Sequence, residues 1–355
     1  MAKASILSAI FAFISVASAQ CGSGQPQAVV DGSGNSFTAT KGGANIYTGP
    51  FYLEAINAAL NAIGAGERVV VLASGDIGPN SIRVTTGKTF EVCGTITAAP
   101  KLNRGAIEAV DAADVKIPFL NLAGSPVFGL RFYGVTGLSL GVINMNLRSG
   151  MGIRFDRDKP PNKDVSMDSI TVTGASSHAV ETWNIDGLTI NSVNAKNVGE
   201  CGLLLQTTTN ANVKSVVCDN AGAGTGYACL RFANRNGAIG GSDYKTNVFV
   251  DSVKATGGGR GLFCVSESGG AQVGNIDFTN VGLNPILIEN CYNVNIGSGT
   301  VRGGNGDIRL SARKSFANNK DISIAVKVEN VNVLERPCGT NIKWAITGSG
   351  RQTIC

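Results

Sequence analysis

The sequence is poor in charge, in aromatic side chains and in histidine. Charged residues make up 15% and aromatic residues 6% of 355 positions, and His178 is the only histidine. The formal net charge is +5, without a dense cluster of lysine and arginine, which is evidence against nucleic-acid binding. A mild positive charge is compatible with an acidic ligand, but it identifies none.

The cysteines lack the spacing of a zinc site. No Cys-x-x-Cys pair occurs in the chain, and the single histidine has no cysteine beside it. We therefore predict no metal site and no bound cofactor. Calcium is the one ion left open, since Asp156 and Asp158 lie close together in the sequence.

Only one long apolar run is present, at residues 6–16, and it is too short to span a bilayer. It follows Lys3 and precedes Ala17-Ser18-Ala19, a small-residue cleavage motif, so residues 1–19 are predicted to be a secretion signal. The mature chain would begin at Gln20 or Cys21. We expect a secreted, extracellular monomer that binds neither membranes nor nucleic acid.

All nine cysteines follow this predicted signal, and an exported chain favours disulfides. We predict that Cys21–Cys93 closes the N-terminal end and Cys338–Cys355 the C-terminal end. The pairing of the others stays open, because spacing does not determine connectivity. The odd number leaves one thiol, which we expect to be buried.

The N-terminal region, residues 20–114, combines three predicted parts. Residues 20–45 are rich in Gly and Ser and indicate an irregular arm. Apolar residues at helical spacing over 51–63 predict an amphipathic helix that caps the fold. Short apolar stretches between residues 68 and 93 predict the first strands of a solenoid.

From residue 115 to 335 the chain repeats a pattern of short strands and polar turns. The spacing is near the mid-twenties, with one unit of about 33 residues that contains a loop at 236–243. Predicted strand starts are Val127, Gly152, Ala179, Gly202, Ala228, Gly261, Pro285 and Asp307. The glycines and the alternation exclude helical repeats, and the leucine-rich-repeat motif is absent. The prediction is an all-β protein, a single parallel β-helix solenoid, followed by a disulfide-stapled tail at 336–355.

Over most of residues 45–335 the chain resembles the right-handed parallel β-helix proteins of the pectin-lyase-like superfamily. Three segments, 152–158, 177–190 and 257–270, are also similar to secreted fungal β-helix proteins of unestablished activity. The resemblance implies right-handed coiling and raises the expectation of a polysaccharide lyase or hydrolase. Asn184-Ile185-Asp186 echoes one polygalacturonase motif, but the Asp-Asp and Gly-His-Gly motifs are missing. The calcium-binding Asp cluster and catalytic Arg of pectate lyases have no clear counterpart either.

Alignment of the repeats predicts which side chains point away from the core. Matched positions on neighbouring parallel strands lie about 4.8 Å apart and form ladders. The predicted inward ladder is Ile153, Val180, Leu203 and Leu230. The predicted outward residues are Arg154, Glu181, Leu204 and Arg231, then Asp156, Trp183 and Gln206, and farther on Glu267 and Glu289. This outward face concentrates charge and an aromatic ring, which is typical of a sugar-binding surface.

The leading hypothesis is a lyase that cleaves an acidic, uronate-containing polysaccharide by β-elimination. His178 would be the base, because its pKa is ordinarily near neutrality. Arg154 and Arg231 would neutralise the uronate carboxylate, and Glu181 would orient the base or act as an acid. The remaining substrate-binding residues in this hypothesis are Trp183, Gln206, Glu267 and Glu289.

Two other functions stay open. Glu181 and Asp156 are predicted to lie roughly 8 Å apart, which suits the acid and base of an inverting glycoside hydrolase. The third class is a non-catalytic β-helix that binds glycan or acts at a host surface.

Each candidate residue also has a structural alternative. Arg154 would pair with both acids in a charged ladder, Trp183 would pack as a core aromatic, and His178 would cap a turn. Arg235 and Arg260 lie in Gly-rich and Asn-rich loops and are expected to be ordinary surface arginines.

Overall fold

A computed structural model describes residues 20–355, which form a β-solenoid of about 12 turns. The predicted signal at 1–19 lies outside the described residues. The described part contains 27 strands and a single helix. No helix in it is long and apolar enough to cross a membrane.

The N-terminal stretch is a small antiparallel sheet, so the predicted irregular arm at 20–45 is wrong. Its strands are β1 (Ala28–Ser33), β2 (Ser36–Lys41) and β3 (Ala44–Gly49), paired in order. Alternation explains this, because Ala28 and Val30 are buried while intervening residues are not. The Gly and Ser residues that suggested irregularity lie largely in and beside the tight turns.

The single helix, α1, spans Tyr52–Ala62 and confirms the helix predicted at 51–63. Its apolar face buries Ile56 and Leu60 against the core, in keeping with the helical spacing of those residues.

The first parallel turns lie where the sequence predicts the first strands of the solenoid, ahead of the repeat at 115–335. They comprise β4 (Arg68–Val71), β5 (Gly75–Asp76), β6 (Ile82–Arg83), β7 (Thr89–Val92) and β8 (Thr95–Ala98). Strand β4 already pairs in parallel with β7. The solenoid therefore starts near residue 68.

Further strands, of three to 18 residues, stack on these turns in the same parallel manner. They are β9 (Gly105–Ala113), β10 (Lys116–Gly124), β11 (Phe128–Thr136), β12 (Ser139–Leu147), β13 (Met151–Phe155), β14 (Asn162–Thr173), β15 (Val180–Trp183), β16 (Ile185–Val198), β17 (Leu203–Gln206), β18 (Thr209–Ala221), β19 (Leu230–Ala233) and β20 (Val248–Thr256). The series continues with β21 (Leu262–Thr279), β22 (Ile286–Arg302), β23 (Ile308–Ser311), β24 (Lys320–Glu329) and β25 (Val333–Glu335). Each predicted strand start lies within two residues of an observed one.

The predicted inward ladder is confirmed. Ile153 pairs with Val180, Val180 with Leu203, and Leu203 with Leu230. All four side chains are fully buried in the main core. This register places adjacent residues of each strand on opposite faces and residues two apart on the same face, as the alternation predicts.

The C-terminal segment is part of the solenoid and not a tail. Strands β26 (Thr340–Ser349) and β27 (Gln352–Thr353) pair in parallel with β24 and β25. The apolar side chains of this segment, Ile342, Trp344 and Ile346, pack partly buried against the core, which explains why it joins the stack.

Four disulfides link the described cysteines: Cys21–Cys93, Cys218–Cys229, Cys264–Cys291 and Cys338–Cys355. The two predicted pairs are confirmed. Cys201 is the remaining thiol and is buried, as expected. Four disulfides are compatible with an oxidising, extracellular compartment.

Candidate functional site

One line of outward side chains runs along the solenoid, and we call it the outward column. Each member is the Cα partner of the next on a neighbouring strand. In order it contains Glu108, Arg131, Arg154, Glu181, Leu204, Arg231, Phe263, Leu287 and Arg309. We call the part up to Glu181, with Asp156 beside it, the charged half. The part from Leu204 to Leu287, with Arg260 beside it, is the apolar half.

In the charged half, Asp156 is held by two arginines. Arg131 donates through Nε and Nη2 to Oδ2 at 2.9 and 2.5 Å, and Arg154 Nε donates to Oδ1 at 3.2 Å. Burial acts to lower the pKa of Arg131, but Asp156 and Glu108 outweigh it and raise that pKa. Both oxygens of Asp156 are therefore occupied by guanidinium donors.

Glu181 is enclosed in the same way and is only 6% exposed. Arg154 Nη1 donates to its Oε2, while Trp183 Nε1 and Gln206 Nε2 donate to Oε1 at 2.9 and 2.8 Å. Arg154 thus contacts both acids, as in the charged-ladder alternative. No oxygen of Glu181 lacks a partner, and a role as acid or base stays a prediction.

Trp183 and Gln206 are buried parts of this network. The Arg157 guanidinium lies over the indole ring of Trp183, 5.2 Å from its centroid. Gln206 Oε1 accepts a hydrogen bond from Asn234 Nδ2 at 2.6 Å. Neither side chain offers a bare surface for a sugar in this arrangement.

His178 is 6% exposed, and both ring nitrogens have partners. Nδ1 accepts the Cys201 amide at 3.0 Å, and Nε2 lies 3.0 Å from Glu200 Oε2. Burial acts to lower the pKa of His178, whereas contacts with Cys201 and Glu200 raise it, and the net direction is upward. Protonating Nδ1 would break the amide hydrogen bond, which limits that rise. Neither protonation state leaves a lone pair free to take a proton from a ligand.

Glu200 organises the loop beside His178. It accepts a hydrogen bond from Ser177 Oγ as well as facing the imidazole. Burial opposes ionisation, but His178 and Ser177 lower the pKa of Glu200 to about 2. The Tyr227 ring also packs edge-on against His178, with centroids 5.7 Å apart. Sequence reasoning missed Glu200 and Tyr227, because no local pattern links these turn residues.

The apolar half lies on a hydrophobic cluster separate from the main core. Its buried members are Cys201, Leu204, Ala228, Ala233, Phe263, Val265 and Leu287, and Tyr227 packs against them. Two arginines cover the central ring. The guanidinium carbons of Arg231 and Arg260 each lie 5.1 Å from the Phe263 centroid. Such cation–π contacts hold guanidinium groups over an aromatic face.

These two arginines have no carboxylate partner among residues 20–355. Arg260 is only 8% exposed, which overturns its expected place at the surface. Its Nη1 donates to the carbonyls of Thr225 and Tyr227, but Nε of Arg260 and Nε of Arg231 are buried without partners in the described part. Burial, and then the charge of Arg231, lower the pKa of Arg260.

The other two predicted acids, Glu289 and Glu267, lie in different parts of the structure. Glu289 follows Leu287 in the outward face, pairs with Arg313 Nε at 2.5 Å and accepts a hydrogen bond from Ser311 Oγ at 3.2 Å. Glu267 lies in a bulge of β21 with φ of 54° and lines a separate cavity. The structure therefore does not gather all the predicted substrate-binding residues at one point.

A metal centre finds little support in the described residues. The one group of His, Cys, Asp or Glu side chains compact enough to hold an ion is Cys21, Glu91 and Cys93, and its two cysteines form a disulfide. Asp156, considered for calcium, already binds two arginines. Its charge is balanced within the protein, so this carboxylate does not fit a calcium ligand.

Comparison of the chain with known protein families, with curated proteins and with solved structures found no match.

Proposed function

We propose that this protein binds an acidic, uronate-containing polysaccharide on its outward face, with Arg231 and Arg260 receiving carboxylate groups. One observation carries the proposal. Two neighbouring guanidinium groups lie on a built aromatic platform without a carboxylate partner, while the arginines of the charged half are all paired.

The energetics favour an anion at this position. A buried donor without a partner costs about 1–3 kcal/mol, and more when it belongs to a charged group. Two adjacent like charges add repulsion: burial and then the charge of Arg231 lower the pKa of Arg260, and the charge of Glu289 opposes them only in part. A carboxylate accepts two parallel hydrogen bonds from a guanidinium and offsets the repulsion between the two charges.

The column also suits an extended ligand more than a single small anion. Beyond Arg231 it continues through Phe263 and Leu287 to the exposed Arg309. Three steps of about 4.8 Å place the backbones of Arg231 and Arg309 roughly 14 Å apart. Cations spaced along an apolar strip match a polymer with repeated carboxylates and apolar sugar faces.

Cleavage of the polysaccharide, which the sequence analysis favours, is the second candidate after binding. In β-elimination a base removes the proton beside the uronate carboxylate and the adjacent glycosidic C–O bond breaks. Arg231 and Arg260 would stabilise the charge that develops on the carboxylate. His178, the predicted base, has both nitrogens engaged, and the acids of the hydrolase hypothesis are held by arginines. Binding is therefore the better-supported function.

Three finer assignments belong to this proposal. Secretion is supported by the four disulfides. Membership of the pectin-lyase-like superfamily, with right-handed coiling, is supported by the stacked parallel strands. A capping role for α1 is supported by the packing of its apolar face at the N-terminal end of the stack.

The test compares polygalacturonate with its fully methyl-esterified form, which keeps the sugar backbone and removes the charge. We expect calorimetry to detect binding of the charged form alone. In Arg231→Ala the affinity for this form should fall at least about tenfold, which corresponds to about 1.4 kcal/mol. Arg83→Ala is the matched control, because Arg83 is exposed and is the Cα partner of Glu108 at the other end of the same column.

Alginate serves as a second uronate polymer in the same measurement. Equal affinity for charged and esterified polymers, no binding of either uronate, or unchanged binding in Arg231→Ala would contradict the proposal. Ultraviolet absorbance and reducing ends in the same samples test cleavage. Absorbing products that disappear in His178→Ala would establish the lyase, and reducing ends without absorbance that disappear in Glu181→Gln would establish the hydrolase.

A further inference from the structure

A cavity of about 600 Å³ lies beside the turns that follow the outward face. This volume is in the range of small-ligand pockets. The long loop of the 33-residue repeat forms one wall, and turns from the following rungs form the others. The residues that matter for its chemistry are Arg235, Tyr244, Lys245, Glu267, Tyr292 and Lys320.

Two tyrosine rings give the cavity a rigid apolar wall. The rings of Tyr244 and Tyr292 are 5.0 Å apart between centroids and tilted by 56°. The Tyr244 hydroxyl donates to the Glu267 carbonyl, and the Tyr292 hydroxyl donates to the Ala317 carbonyl at 3.3 Å. Asn293 Nδ2 donates to the Tyr244 carbonyl at 2.7 Å and anchors the loop. Both hydroxyls are thus occupied, so the rings present mainly their carbon surface.

The charges around these rings balance. Three cations, Arg235, Lys245 and Lys320, face three anions, Asp243, Glu267 and Asp321. Lys245 pairs with Asp243 at 3.3 Å, and Asp321 accepts a hydrogen bond from Asn341 at 2.6 Å. The Glu267 carboxylate has neither a hydrogen bond nor an ion pair in the described part of the chain. The cavity therefore offers both donors and acceptors without a net charge.

We propose that this cavity binds an uncharged sugar ring, as a site separate from the arginines of the apolar half. A sugar ring has an apolar C–H face that fits a tyrosine surface and hydroxyls that both donate and accept. Glu267 would accept from a hydroxyl, and Lys320 would donate to one. A uronate would meet three carboxylates here, and a cation would meet three basic side chains, so neither has an electrostatic preference for this cavity.

The test uses neutral hexasaccharides of glucan, xylan, mannan and galactan type, titrated into the protein by calorimetry. We expect at least one to bind, about tenfold more weakly in Tyr292→Ala, the effect of removing about 1.4 kcal/mol of ring contact. Tyr292→Phe keeps the ring and should stay within about threefold of wild type. If Tyr292→Ala fails to fold, Glu267→Gln replaces it as the test. This change in a half-exposed side chain should also weaken binding.

The two sites are distinguished by their variants. Arg231→Ala should leave neutral-sugar binding unchanged, because that side chain does not line the cavity. Binding that is lost in Arg231→Ala but kept in Tyr292→Ala would move the neutral ligand to the outward column and overturn the second site. The absence of binding to every hexasaccharide at millimolar concentration would overturn it as well.

Discussion

The charged and apolar halves of the outward column share one backbone geometry and differ in what the neighbouring strand supplies. Arg154 has Glu181 as its Cα partner and Asp156 two residues along its own strand, and it contacts both. Arg231 has Leu204 and Phe263 as partners and contacts an aromatic ring instead of an acid. The same residue type in the same column is therefore neutralised at one position and available at the other.

The two halves show which positions in a ladder of charges can bind a charged ligand. A charged cluster with every oxygen and guanidinium matched is a structural element, however conspicuous it is in the sequence. A guanidinium that lies on an aromatic ring without an ion-paired carboxylate can bind the carboxylate of a ligand. The most charged stretch of this chain and its best candidate binding position are thus two different places.

The largest expected effect concerns stability. Arg154→Ala should lower the free energy of unfolding by on the order of 3 kcal/mol, because it leaves Glu181 and Asp156 buried with less compensation. Arg231→Ala removes no ion pair and should cost about 1 kcal/mol or less. Denaturant unfolding of both variants measures the contrast, and equal losses would remove the distinction between the halves.

The next prediction concerns a substitution that introduces a carboxylate into the apolar half. Leu204→Glu places a carboxylate beside Arg231, where it should compete with the ligand and weaken polygalacturonate binding about tenfold, or about 1.4 kcal/mol. Leu204→Gln is the matched control, since it introduces similar bulk and polarity without charge. Similar affinities of the Glu and Gln variants would show that Arg231 does not contact the anion.

A smaller effect is expected from Arg231→Lys. Lysine keeps the positive charge but loses the planar fork and the stacking on Phe263. We expect affinity for polygalacturonate to fall about fivefold, or about 1 kcal/mol, with its salt dependence retained. Titrations at low and high sodium chloride measure both quantities. Wild-type affinity in the lysine variant would indicate attraction by charge alone.

A stability effect of similar size is expected as a pH dependence next to the apolar half. The pKa of Glu200 is lowered from 4.5 to about 2, so its stabilising contribution is complete above about pH 4.5 and is lost as the pH falls toward 2. Between pH 7 and 2.5 the free energy of unfolding should therefore fall by about 1 kcal/mol less in Glu200→Gln than in the wild type. Melting temperatures between pH 7 and 2.5 test this, and parallel profiles for both proteins would contradict it.

The solenoid was largely predictable because its register depends on local alternation and spacing. Ile153, Val180, Leu203 and Leu230 stack as predicted, since a one-residue slip would expose every one of them. Strands β1 and β2 of the N-terminal antiparallel sheet were not predicted, because Gly and Ser in tight turns masked their short alternating pattern.

The candidate site was predictable only in part. The alternation placed Arg154, Glu181 and Arg231 on the outward face, but it did not reveal which arginines are neutralised. That depends on Arg131, from an earlier strand, which reaches Asp156. Arg260 is buried because the loop that carries Thr225 and Tyr227 folds against it, a contact between residues over 30 positions apart. Long-range contacts of this kind leave no local pattern.

The most direct test is a crystal structure with the acidic oligosaccharide that binds most tightly. We expect a carboxylate of the ligand between the guanidinium groups of Arg231 and Arg260, with a sugar ring against the strip that leads toward Leu287. A ligand that instead lies over Arg131 and Arg154 and displaces the carboxylates of Asp156 and Glu181 would show that the charged half is the binding site, and would contradict the assignment made here.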